Sequence, residues 1–377
     1  MKNIPITKPF LGKEEIRSVK LPLKSGWLVQ GSLVKTFEEK FSGFTNSPFS
    51  IATTSCNTAL HVAVVAMCLN KEDEVIVPSF TWITTPNVIE YMGAKPVFCD
   101  IDLSTFNIDV NLIESLITSR TVGIIPVHLF GLCADMNPIL ELAKKHNLWV
   151  IEDAACALGS YYHGKHAGNF GAMGCFSFHP RKLITTGEGG MVTTSNVDLD
   201  KLCRVLRDHG ADGTDFTHLG FNYRMTDIQG SLGSSQMDKA NIILSNRVQK
   251  ANFYNEALKE IEWLKLPSVP DEYVHSYQSY VCLFRPEDPS MENVNSLNDK
   301  RNKLMERLKE KGISTRSGTI SPSIQQFYKN KYKYQPEDFP NSYIADRLSI
   351  TLPLYAQMTE KDQNRVIRGL KKWNMKK

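Results

Sequence analysis

Two hydrophobic periods alternate along the first two-thirds of the chain. Between Lys35 and Phe44, Phe37, Phe41 and Phe44 recur at i, i+4 and i+7, one face of an amphipathic helix. Asn57 to Leu69 predicts a second helix, opened by the small polar run Thr53-Thr54-Ser55. Short apolar runs of strand length follow: VIVPSF from Val75, PVFCDI from Pro96, VGIIPVHLF from Val122, LWVIEDA from Leu148 and GCFSF from Gly174. They are almost continuously apolar, as strands are when both faces are covered. Helical stretches separate several of them, for example Asn137 to His146. Such alternation predicts an α/β domain built on a mostly parallel sheet.

The period then changes. Thr226 with Gln229 three places on is a capping-box signature, opening a helical stretch that runs to about Ile261. Past Pro267 come a strand-like SYVCLF, a polar segment from Arg285 to Asn295 and an amphipathic helix bearing Leu304 and Leu308. Gly312 sits where that helix should stop, and a last helix is expected to start near Thr359. The pattern divides the chain into a large domain, residues 1–244, and a smaller C-terminal α+β domain, residues 245–377.

Composition narrows the class only coarsely. With 377 residues, 42% hydrophobic and 22% charged, the chain can bury a large core without disulfides or metal. Disorder, collagen-like structure and a small disulfide scaffold are excluded. A net charge of +4 on a chain this long gives no reason to expect nucleic acid. The first residues lack the apolar core of roughly 7–15 residues that a signal peptide needs. The most membrane-like stretch, Ile51 to Leu69, carries too many polar groups to span a bilayer. Eight scattered cysteines without a CxxC pair read as reduced thiols in a cytoplasmic protein, and no metal site is expected.

Four segments carry candidate chemistry. In GCFSFHPRKLITTGEGGMVTT (Gly174 to Thr194), Lys182 lies between two strands in a crowded Ser/Thr/Gly loop. Burial there would lower an amine's pKa and free it to form a Schiff base; a solvated lysine in a β-hairpin is the alternative. In IEDAACALGS, Glu152 and Asp153 end an apolar strand, where parallel sheets place their ligand crevice. An acid at such a point either solvates a helix start or holds a pyridine nitrogen protonated, as pyridoxal phosphate (PLP) chemistry requires. TTSCNTAL puts hydroxyls and free N–H groups at a helix start, an anion seat or an ordinary cap. PSFTW places Trp82 after a buried strand, where it either stacks on a planar ring or fills the core.

Taken in order, these segments resemble the DegT/DnrJ/EryC1/StrS family of sugar aminotransferases, within the fold-type I PLP transferases. The likeness runs from SGWLVQG (Ser25 to Gly31) to LPLYAQMTEKD (Leu352 to Asp362), with SFHPRKLITTGEGGMV and LGFNYRMTDIQGSLGSSQ as its most specific blocks. The resemblance implies pyridoxal 5'-phosphate as cofactor and Lys182 as the catalytic Schiff-base lysine, also general base and acid. It implies Asp153 against the pyridine nitrogen, Trp82 on the ring, and Ser177 on the phosphate, with Cys56 and Asn57 at the family's Gly-Thr phosphate pair. Asn222 matches the asparagine that reaches the phosphate from a neighbouring subunit, implying a homodimer with shared sites. Cys156 stands where the family carries a glutamine near the cofactor's O3′, and a thiol is a weaker hydrogen-bonding group than an amide. A histidine in place of Lys182 would indicate the family's dehydratases.

For the substrate, the resemblance implies an amino donor, typically L-glutamate. The acceptor is a keto-sugar, a nucleotide-linked 4-keto- or 3-keto-6-deoxyhexose of surface-glycan or related biosynthesis. Arg316 and Tyr328 match substrate-contact positions, His179 matches a position that serves either positioning or substrate contact, and Arg224, after Asn222–Tyr223, suits a substrate carboxylate or phosphate. The family's Tyr-Pro pair and histidine are here Ser321–Pro322 and Ser323. That departure keeps open a small phosphorylated ketone or aldehyde as acceptor, and a non-catalytic PLP-binding module is a third reading. Lys329, Lys331 and Lys333 read as solvated charges.

Overall fold

The computed structural model describes residues 3–373. Seven strands form the central sheet: β1 (Phe49–Thr53), β2 (Glu74–Pro78), β3 (Lys95–Cys99), β4 (Thr121–Ile124), β5 (Trp149–Asp153), β6 (Met173–Ser177) and β7 (Gly190–Thr194). Their order is β1-β7-β6-β5-β4-β2-β3. Pairing is parallel from β6 through β3, and only β7 runs against its neighbours. The parallel α/β expectation holds, and β1, which the hydrophobic pattern had hidden in the run leading into a helix, joins it at the edge.

The near-continuous apolar strands are explained by burial on both sides. Ile76 packs into one core with Phe37, Phe41 and Phe178, while its neighbours Val75 and Val77 enter the other with Ile51 and Val62. Phe37 and Phe41 are fully buried, and Phe37 meets Phe178 edge-on at 5.0 Å between ring centres. This aromatic contact ties the helix Ser32–Thr45 to the loop that carries Lys182.

The capping box is real: Thr226 Oγ1 accepts the Gln229 N–H at 3.3 Å and starts the helix Asp227–Met237. The long helical stretch is two helices, since Asp238 and Lys239 interrupt it before Ala240–Leu258. Position 244 lies inside that second helix. Beyond it, a three-stranded antiparallel sheet (Leu264–Lys265, Tyr280–Phe284, Ser349–Leu352) packs with the helices Val294–Glu310 and Glu360–Lys371. Gly312 ends the first of these helices with φ +66°, and Thr359 caps the second. Ile4 also belongs to this C-terminal core: its N–H donates to Gly312 O at 2.8 Å and its carbonyl accepts from Ser314 N–H at 3.0 Å.

All eight cysteines are free thiols. Among the described residues no helix is long and apolar enough to cross a membrane. Nor does any group of three His, Cys, Asp or Glu side chains stand as a metal site.

Candidate active site

The carboxyl ends of β1, β2, β5 and β6 and the start of β7 converge on one edge of the sheet, where a cavity of about 330 Å³ opens. Most of the sequence-predicted site residues line it. Asp153 arrives from the end of β5, Ser177 from the end of β6, and Lys182 and His179 from the loop that follows. Cys56 and Asn57 arrive from the first turn of the helix Cys56–Ala66, and Trp82, Cys156 and Arg316 complete the set.

The loop Phe178–Gly189 is held shut by its own polar groups. Thr185 Oγ1 donates to Phe178 O at 2.8 Å, Thr186 Oγ1 to Glu188 O at 2.7 Å, and Thr186 N–H to Phe178 O at 3.1 Å. Gly187 turns with φ +85°, a conformation suited to glycine. At Gly190 a Cβ would lie 2.3 Å from Ser55 O, so glycine is what lets β7 press against the helix start. Gln229 Nε2 donates to Glu188 O at 2.7 Å, so the two most specific sequence blocks meet in space.

At that helix start Ser55 Oγ caps the Thr58 N–H at 3.2 Å. The first-turn N–H groups of Cys56 and Asn57 have no helical carbonyl to bond, and the helix dipole favours an anion there. Burial, with Asp153 beside it, pushes the Cys56 thiol well above its ordinary range, so it stays neutral.

Lys182 Nζ lies 3.0 Å from Cys156 Sγ. Asp153 accepts from Thr85 Oγ1 at 2.7 Å and from the Ala155 N–H at 3.1 Å. Burial nevertheless raises its pKa above the usual carboxylate value, against the pull of Thr85, Ala155 and Lys182. A carboxylate in that condition is an anion short of a close cationic partner. Trp82 is 58% exposed at the mouth, an indole with one side open. Burial lowers the His179 pKa, with Arg181 and Lys182 adding to the effect and Glu188 opposing it.

Three predicted residues do not reach this cavity within one chain. Asn222 is exposed on the outer surface. Arg224 forms an ion pair with Asp208. Tyr328 is fully buried, its hydroxyl donating to Asn87 Oδ1 at 2.7 Å and its ring set edge-on to Phe98. Sequence reasoning in turn missed Thr85, Arg181, Glu188, Gln278 and Thr319, of which all but Thr85 line the cavity. Arg181 and Glu188 lay inside the conspicuous loop. Gln278 and Thr319 come from distant segments with no local signal.

The donor set fits PLP: a buried aspartate lacking a cation, an anion seat at a helix start, an open indole and a lysine amine share one cavity. A family model described as the DegT/DnrJ/EryC1/StrS aminotransferase family matches residues 9–371. The spore coat polysaccharide biosynthesis protein SpsC of Bacillus subtilis is 34% identical, covering 98% of this chain and 96% of its own. The putative sugar aminotransferase Spr1654 of Streptococcus pneumoniae, solved in PMP form, superposes with a TM-score of 0.91 at 28% identity, covering 98% and 97% of the two chains. Helicobacter pylori PseC, an aminotransferase involved in the biosynthesis of pseudoaminic acid, gives 0.90 at 27% identity, covering 98% and 99%.

Proposed function

The chain belongs to the DegT/DnrJ/EryC1/StrS aminotransferase family, and from that premise we propose that it moves an amino group from L-glutamate to a nucleotide-linked keto-sugar. The observation that carries this reading is the shared cavity of Lys182, Asp153 and the Cys56–Asn57 helix start. The enzyme depends on PLP, which when bound supplies an electron sink for taking up and releasing an amino group.

The remaining work falls to the protein's own side chains. Asp153 would keep the pyridine nitrogen protonated, relieving the burial that raises its pKa. Ser177 and the Cys56 and Asn57 N–H groups would hold the phosphate, and Trp82 would cover the ring and exclude water. Lys182 Nζ would anchor the cofactor and, once released, carry the proton to and from the substrate carbon. Cys156 Sγ gives that amine a resting contact at 3.0 Å and would leave O3′ without an amide partner.

A homodimer accounts for two further observations. Asn222, which is exposed and does not line its own cavity, would reach a partner's phosphate seat. Trp27, Leu28, Val29, Phe216 and Leu219 are large apolar side chains left exposed, 89% in the case of Leu219. The similarity to SpsC and PseC supports a sugar acceptor. One observation favours the smaller phosphorylated ketone or aldehyde as a second acceptor to test. Ser321 and Ser323 are buried, 3.1 Å from one another, so those two hydroxyls are not offered to a nucleotide.

PLP-loaded protein should show a visible absorption band that borohydride bleaches and that Lys182→Ala abolishes. L-Glutamate should convert the cofactor to its amine form, and keto-sugar nucleotides should restore it. A colourless protein after PLP addition would sink the aminotransferase reading. Recovery only with small phosphorylated carbonyls would replace the acceptor.

A further inference from the structure

Two guanidinium groups border the cavity of Lys182, and among the described residues neither forms an ion pair with a carboxylate. Arg181 immediately precedes Lys182 on the loop. Arg316 comes from the C-terminal segment, fixed by Thr351 N–H donating to Arg316 O at 2.7 Å and by Thr81 N–H donating to Ile320 O at 3.1 Å. The two are near enough to feel one another: burial is the main cause that lowers the Arg316 pKa, and Arg181 is the next.

Arg181 is exposed at the cavity's border and Arg316 half-buried, whereas the fully buried arginines all have partners. Arg207 meets Glu38 at 2.6 Å. Arg301 donates to Ser349 O at 3.0 Å and to Ser317 Oγ at 2.8 Å. Arg247 has no carboxylate, yet it donates to the Tyr277 and Gln278 carbonyls. Nor do the cavity's own carboxylates neutralise the pair. Asp153 is bonded to Thr85 and Ala155, and Glu188 is exposed and in no ion pair among the described residues.

The position of Arg181 is also enforced. Gln278 Nε2 donates to Arg181 O at 2.8 Å, and Tyr277 beside it takes φ +48°, costly for a tyrosine. Keeping two like charges together, one of them half-buried, is unfavourable until an anion arrives. Two planar forks suit an oxyanion with several acceptor atoms.

We propose that Arg181 and Arg316 form a specificity-determining oxyanion receptor, which holds the carboxylate or phosphate carried by the substrate while its reacting carbon lies at Lys182. The proposal rests on the aminotransferase reading above. Arg181 is its distinctive element.

The test uses PLP-loaded enzyme and three probes. In single-turnover conversion by L-glutamate, Arg181→Gln should raise the half-saturating concentration about tenfold or more, with the limiting rate within about twofold. Arg181→Lys, which keeps the charge and loses the fork, should fall between and guards against a folding defect in the first variant. Calorimetric titration with UDP reads the acceptor side, and titration with inorganic phosphate reads the receptor without any turnover. A shift in the glutamate arm assigns the pair to the donor carboxylate; a shift in the UDP arm assigns it to the acceptor phosphate. Wild-type behaviour of Arg181→Gln in all three arms overturns the receptor while leaving an active aminotransferase in place. If the wild type transfers no amino group, the function above fails. The phosphate titration then still decides the receptor: weaker binding by Arg181→Gln supports it, and equal binding overturns it.

Discussion

Glu152 and Asp153 are consecutive residues with the same charge, yet they face opposite sides of β5 and live in opposite conditions. Glu152 is fully buried and saturated. It accepts the N–H groups of Gly168, Phe170 and Gly171 and the Nε2–H of His128, whose tautomer is fixed because Nδ1 accepts the Ala134 N–H at 3.0 Å. Asp153, with only a threonine hydroxyl and one N–H, is left wanting a cation. The pair separates an acid that holds the fold from an acid kept ready for a ligand. The criterion is how completely each is solvated by the protein itself.

The comparison breaks first at Glu152. Glu152→Ala strands three backbone N–H donors and an imidazole, and should cost about 3–5 kcal/mol in a denaturant titration. PLP should not rescue it. Asp153→Asn should fold normally and bind PLP, while its turnover falls by about a hundredfold or more in steady-state assay. Equal stability losses from the two substitutions would erase the distinction. Thr85→Val removes one bond to the ready acid, and should weaken PLP about fivefold by equilibrium titration with little change in melting temperature.

The smallest effect concerns pH. Because the folded pKa of Asp153 is raised, the native state binds more protons than the unfolded chain between the ordinary aspartate range and the raised value. Stability of the cofactor-free protein should therefore fall as pH rises through that window. Asp153→Asn should flatten the slope, read as the difference between the two melting curves, and PLP should also abolish it.

Much of this was legible in the chain because it is local. Strand runs, the Thr226–Gln229 box, the Gly312 stop and the loop of Lys182 each announce themselves within about twenty residues. The opposite fates of Glu152 and Asp153 are not local, since alternation along a strand assigns two faces without naming them. Tyr328 likewise looked like a substrate contact from its segment, and its placement is decided by Asn87 and Phe98, far away in sequence. Thr85 and Gln278 were invisible for the same reason: the group each one serves lies on another strand or loop.

The pairing of Ile4 with the segment around Ile313 has a kinetic meaning. Ile4 leaves the ribosome long before the segment it pairs with. The central sheet can assemble in the meantime from neighbouring strand–helix units, so this seam should form late. Such long-range closure slows folding and leaves an apolar residue uncovered until its partner segment arrives. Chains interrupted before Ile313 would therefore present Ile4 to chaperones, or to one another.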